Sequence, residues 1–198
     1  MDLQPWSKRS DTMPTPSLSE QQWEKILRLV NSSSYYVVDY VPHVPVGESF
    51  LSLDYYVERE YLPRALDRYA LICLVALYTW ADYVDIVPGY STKDDTFPPV
   101  IVAAAGGGVG PRDVDRLIRS TLRSKKFKKT FIFLEHRGIL IELKLDFRIV
   151  FYGLHADDAG LVESLATANG LFLKYRNEDE ENTPVDSVDS AGSSGEDG

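Results

Sequence analysis

The sequence predicts an α+β fold: a mixed or antiparallel β-sheet with helices packed on one face, and disordered N- and C-terminal tails. Three observations predict it. Short runs of β-branched and aromatic residues alternate with segments of helical period. Some neighbouring strands are separated by a tight reversal and others by a helix, which mixes hairpin and crossover connections. The two chain ends lack the apolar content of a core. With 198 residues, 44% of them hydrophobic, the chain is long enough for one sizeable core. The expected organisation is a tail over 1–17, one α+β domain over 18–176 and an acidic tail over 177–198.

The first element is "SLSEQQWEKILRLV". Ser19 with Gln22 three residues on makes a capping box, and Trp23, Ile26, Leu27 and Val30 recur at helical spacing. "YYVVDYV" and "ESFLSLDYYVE" read as strands, with Pro42 and Pro45 forcing a loop between them. "EYLPRALDRYALICLVALYTW" reads as a helix because Leu and Ala outnumber β-branched residues and Pro63 suits a first turn. It is polar at Arg64, Asp67 and Arg68 and then apolar all round, so its second half is expected to be the most buried element. "YVDIV" follows as a strand, ended by Pro88-Gly89.

"VIVAAAGGGVGPRD" then runs from a strand through glycines into "DVDRLIRSTLRSKKFKK". Val114, Leu117, Ile118 and Leu122 share one helical face, and Arg112, Arg116, Arg119 and Arg123 form a stripe on the opposite one. "TFIFLEH" is a strand and "RG" a reversal. "ILIELKLDFRIVF" alternates, with Ile139, Ile141, Leu143, Leu145, Phe147, Ile149 and Phe151 on one side and Glu142, Lys144, Asp146 and Arg148 on a solvent side. Its length predicts a bend or a break. "DDAGLVESLATANG" is a short helix stopped by Gly170, and "LFLKY" is the last strand.

Composition excludes several classes. The single cysteine, Cys73, sits in an apolar run, so neither an intramolecular disulfide nor a thiolate metal cluster is expected, and a reducing compartment, cytoplasmic or nuclear, is. The N-terminus has no signal-peptide stretch, and the longest apolar run, Tyr69 to Tyr78, is short of the ~20 residues of a membrane span. The net charge of −9 is concentrated in Glu178, Asp179, Glu180, Glu181, Asp186, Asp189, Glu196 and Asp197, with no basic residue among them, so the body is near neutral.

Four features carry candidate chemistry. The Gly106–Gly110 loop resembles a phosphate cradle, and the dinucleotide fingerprint falls on Ala105, Gly107 and Gly110 with Glu135 as a late acidic residue. Its first position is Ala, a hairpin follows where a second crossover helix belongs, and no G-K-[ST] closes a P-loop. The basic helix Arg112–Lys129 offers Arg112, Arg116, Arg119, Arg123, Lys125 and Lys126 to an anion or an acidic protein, and the acidic tail is a built-in candidate for the same stripe. Tyr35, Tyr36, Tyr55 and Tyr56 cluster on adjacent strands, as interface aromatics or as cross-strand pairs. "HADD" at His155, Asp157 and Asp158 reads as helix capping in preference to a metal site.

No catalytic residue, metal or cofactor is expected. The leading expectation is a non-catalytic protein-interaction module, a small acidic intracellular binding or regulatory protein similar in general character to immunity and antitoxin proteins. The alternatives are a nucleic-acid or polyanion binder using Arg112–Lys129, and a nucleotide-binding enzyme using the Gly106–Gly110 loop.

Overall fold

A seven-stranded mixed sheet runs through the protein in a computed structural model that describes residues 18–40, 57–87, 99–103, 108–123, 129–144 and 148–181. In chain order the elements are α1 (Glu20–Val30), β1 (Ser34–Asp39), a π-helical turn (Val57–Tyr61) leading into α2 (Leu62–Trp80), β2 (Val84–Val87), β3 (Val100–Ala103), α3 (Pro111–Arg123), β4 (Lys129–Leu134), β5 (Ile139–Lys144), β6 (Ile149–Tyr152), α4 (Ala156–Ala168), β7 (Phe172–Asn177) and the single turn α5 (Glu178–Glu181). The strand order is β2-β3-β4-β5-β6-β1-β7. Every neighbouring pair is antiparallel except β3 and β4, which are parallel and joined through α3. No helix among the described residues is long and apolar enough to cross a membrane.

Local rules explain most element ends. Ser19 Oγ accepts from Gln22 N at 3.2 Å and Gln22 Oε1 accepts from Ser19 N at 3.0 Å, the reciprocal box that the spacing predicts. Pro63 sits in the first turn of α2. The β4–β5 reversal is a short 3₁₀ turn, Glu135–Arg137, closed by Gly138 at φ 66°, a left-handed position that suits glycine.

Two segments differ from the sequence expectation, and in a third the expected break proves to be a hairpin turn. The run from Ile139 to Phe151 is two strands of a hairpin, with Leu143 opposite Ile149 and Lys144 N donating to Arg148 O at 2.9 Å. Glu142 is therefore not on a solvent face. It is 3% exposed in the middle of the sheet. Val57 and Glu58, expected to end a strand, belong to the helical turn before α2, and the remainder of that stretch lies outside the described residues. At the far end, β7 reaches Asn177 because the register continues to Ser34, and Glu178 N donates to Ser33 O at 2.8 Å to start α5.

Alternation divides the core in two. Ile139, Ile141, Leu143, Ile149 and Phe151 meet the buried faces of α2, α3 and α4, the helix layer that the pattern predicts. Leu140, Val150 and Tyr152 point to the other side, where Ile26 of α1 is fully buried among them. That second apolar face needs its own cover, and α1 supplies part of it.

One polar clamp holds α1 in place. Glu135, at the β4–β5 corner, accepts from Lys25 Nζ at 2.7 Å and from Gln22 Nε2 at 2.8 Å. The bond from Lys25, then that from Gln22, hold the Glu135 carboxyl below its usual range. A depressed folded-state pKa stabilises above the unfolded value and is lost as pH falls through the folded one. Glu135→Gln is therefore expected to flatten the acid limb of stability below about pH 5 while costing under about 1 kcal/mol at neutral pH, because the pair is exposed. Thermal melts of both proteins between about pH 3 and 7 check this. Parallel pH curves would count against the clamp.

Candidate functional site

The amphipathic face of α3 is seated by Val114, Ile118, Thr121 and Leu122, all buried. Thr121 adds a 2.7 Å hydroxyl pair with Thr130 of β4, which satisfies both groups inside the core. The four arginines do not remain an unbroken outward stripe. Arg119 bonds Asp115 at 2.7 Å and also Asp67 of α2, and its side chain is only 30% exposed. Its pKa is raised chiefly by the Asp115 bond, as expected of a guanidinium held between carboxylates. Arg119 thus ties α3 to α2. Arg116 is 70% exposed beside Asp113 at 3.3 Å, a surface pair of small energetic weight. Arg112 and Arg123 are exposed. Lys125 and Lys126 lie outside the described residues.

The centre of the helix layer is α2, which packs against both α3 and α4. It runs antiparallel to α3, since Asp67 near its start meets Arg119, while β2, just past its end, meets the chain two residues before α3 through Val109 N to Val84 O at 3.3 Å. Its sheetward side buries Leu66, Tyr69, Ile72, Cys73, Ala76 and Leu77. The expectation that its second half is the most buried element is corrected here, since β5 and β6 are more completely buried. Arg64, Arg68, Leu71, Val75 and Tyr78, spaced four, three, four and three apart, form one outward stripe. Leu71 is 46% exposed, and Val75 and Tyr78 are half-buried. The Tyr78 hydroxyl is enclosed without a hydrogen-bond partner among the described residues, and desolvation pushes its pKa up. Arg68 anchors the stripe, donating to Tyr61 Oη at 3.3 Å and to Asn169 O, beyond the end of α4, at 3.4 Å.

An apolar strip flanked by arginines of α2 and α3 is the result. Its sequence signal was available in the all-round apolarity of "ALICLVALYTW". A central helix in a layer has the sheet beneath it and a helix at each side, so its fourth side remains outward.

The tyrosine cluster resolves into cross-strand pairs. Tyr35 lies 5.6 Å from Tyr152 between ring centroids and donates to Glu178 Oε1 at 3.1 Å. Tyr36 lies 5.2 Å from Tyr175. Both are half-buried, and such pairs stabilise the sheet directly. Tyr55 and Tyr56 lie outside the described residues. The exposed aromatics among the described residues are instead Phe172 and Tyr175 on the edge strand β7, with Tyr61 and Tyr83 at the two ends of α2.

At the glycine turn the parallel β3–α3–β4 unit is real, which sequence spacing anticipated only in part. Ala105, Gly106 and Gly107 lie outside the described residues. Gly108 N donates to Asp85 Oδ1 at 3.2 Å, so a carboxylate occupies that amide. Gly110 O accepts from Asp113 N and Val114 N, and a Cβ at Gly110 would meet nothing within 4 Å. The third fingerprint glycine exists for close helix–strand packing, and that need is absent at Gly110. Glu135, the late acidic candidate, is engaged by Lys25 and Gln22.

The remaining candidates do not converge on one site among the described residues. His155 occupies the position before α4 with no side-chain cap bond, and Asp158 pairs with Arg137 at 3.1 Å. His136 Nε2 meets Trp80 O at 3.1 Å. No group of His, Cys, Asp and Glu able to hold a metal occurs among the described residues. Cys73 is fully buried, and burial pushes its thiol up, away from reactivity. No protein-family model matches the sequence, and no curated protein or solved structure matches it either.

One constellation was missed from sequence. Glu142 accepts from Tyr152 Oη at 2.8 Å inside the sheet, with Lys144 Nζ at 3.6 Å and Lys129 Nζ at 3.9 Å. Alternation with Lys144 and Arg148 disguised Glu142 as a surface charge. Its geometry is that of a satisfied buried network.

Proposed function

We propose that the protein is a non-catalytic interaction module that docks a protein partner on the outer face of its helix layer. The observation that carries this is the outward stripe of α2, apolar at Leu71, Val75 and Tyr78, beside the exposed Arg112, Arg116 and Arg123 of α3. An apolar centre with a charged rim is the anatomy of a specific interface. The chemistry that fits is an amphipathic helix with apolar residues at i, i+3 and i+4 and acidic residues along one flank.

The test is a photo-crosslinking amino acid placed at Leu71 in the full chain and, as a control, at Leu27, which is 49% exposed on α1 at the opposite face of the sheet. A discrete adduct is expected from position 71 alone, and it is expected to disappear with Arg116→Glu plus Arg123→Glu. Equal adducts from both positions, or insensitivity to the arginines, would overturn the reading.

The polyanion reading is second, supported by the exposed Arg112 and Arg123. Internal pairing of Arg119 with Asp115 and Asp67 weakens it. It requires oligonucleotide affinity that falls steeply between about 50 and 200 mM salt.

A further inference from the structure

We propose that the acidic C-terminal segment, residues 182–198, docks on the N-terminal half of α3 at Arg112 and Arg116. For its regulatory meaning this rests on the interface proposed above. The contact itself does not.

The sheet register brings the two ends together. Strands β3, β4, β6 and β7 all run in one direction, because β7 to β4 are linked by four antiparallel pairings and β4 to β3 by a parallel one. Tyr175, Tyr36, Phe151, Ile141, Ile132 and Ile101 form one row across the sheet. Ala103 and Asn177, each two residues on, therefore lie at the same end. The chain leaves β7 through α5 at that end, and α3 starts there after the glycine turn. Five strand spacings separate β7 from β3, about 24 Å. Residues 182–198 span up to about 55 Å when extended, so reach is ample.

Charge decides the occupant. Beyond Arg176 the chain carries Asp186, Asp189, Glu196 and Asp197 after the acidic turn of α5, with no base. Arg112 is exposed, and Arg116 is 70% exposed with only a weak surface pair. "PVDSVDS" places Val185 and Val188 three residues apart, each followed by an aspartate, so a short apolar edge accompanies the charge. The segment thus carries a shorter version of the acidic, apolar pattern expected of the partner. It occupies the rim of the partner's surface and competes with it.

The experiment uses the full chain with Ser193→Cys carrying a nitroxide label, the native Cys73 being fully buried. Amide signals of Arg112 to Arg116 are expected to fall to less than about half at ~20 mM salt and to recover at ~500 mM, where screening shortens to a few ångströms. Replacing Asp186, Asp189, Glu196 and Asp197 by their amides in the labelled chain is expected to abolish the effect. The same amide variant, unlabelled, is expected to bind an oligo-glutamate decapeptide at least about threefold more tightly than the wild-type chain, as release of a competing occupant requires. Undisturbed α3 signals, or loss of signal that persists in the amide variant, would overturn the contact. Equal decapeptide affinities would overturn the competition. Label-dependent loss at α3 without the Leu71 adduct would leave the contact standing and sink the partner reading, and the converse result would do the reverse.

Discussion

Gly153→Ala is expected to destabilise the fold by about 3–5 kcal/mol, among the largest effects of any single-methyl addition in this protein. Gly153 follows β6 with φ +68°, where an L side chain alone costs about 1–2 kcal/mol. A Cβ there would also lie 2.2 Å from the carbonyl oxygen of Gly138 and 3.1 Å from Cδ2 of Leu29. The first is backbone and cannot rotate away. It moves only if the whole β4–β5 turn moves, and Leu29 of α1 packs on the same corner. Three glycines make the test internal. Gly138 has φ +66° but open space around its Cβ position, so Gly138→Ala should cost only the conformational part, about 1–2 kcal/mol. Gly110 has neither a positive φ nor a neighbour within 4 Å, and Gly110→Ala should stay within about 0.5 kcal/mol. Urea unfolding of the three variants checks the ranking. Equal costs at Gly153 and Gly138 would show that the close approach relaxes without penalty.

The same corner shows what kind of information sequence carries. The Ser19–Gln22 box, the apolar face of α3 and the strand–glycine–helix turn were legible because each is set by residues a few positions apart. The length of the run from Ile139 to Phe151 predicted a bend or a break, but that the break is a hairpin was hidden by parity. Leu143 and Ile149 are both odd-numbered and face each other across the reversal, so the period-two pattern runs through it unbroken. One strand and two strands give the same alternation. The outward stripe of α2 was half legible: all-round apolarity marked the helix as central, but which side stays open depends on where α3 and α4 settle. Arg119 makes the same point within one residue. Its bond to Asp115 is an i,i+4 pair that spacing allows, whereas Asp67 reaches it from another helix. One arginine of the stripe is therefore structural cement, and only the fold could say which one.

Glu142→Ala carries the second large expectation, about 3–5 kcal/mol of destabilisation, the cost of breaking a buried charge network at one member. Lys129 and Lys144 lie directly opposite each other in the β4–β5 register, a like-charged pair that is unfavourable by itself. Glu142 sits two residues before Lys144 on the same face, 3.6 Å from Lys144 Nζ and 3.9 Å from Lys129 Nζ, and offsets both. It also accepts from the buried Tyr152 hydroxyl. Burial first, then the Glu142 charge, push the Tyr152 pKa far up, so the phenol remains a donor across the accessible pH range. Removing the carboxylate leaves that hydroxyl without its acceptor and the lysines without their counter-charge. Tyr152→Phe removes one bond to a charged group and should cost about 1.5–3 kcal/mol. The double variant separates this network from simple loss of packing: if the contact is direct, its cost falls short of the sum of the singles by about 1–3 kcal/mol. Additive costs would mean that Glu142 and Tyr152 stabilise the sheet independently. Lys144→Gln, added to Glu142→Ala, should restore part of the stability by relieving the facing charges, a rescue that loss of side-chain volume alone has no way to produce.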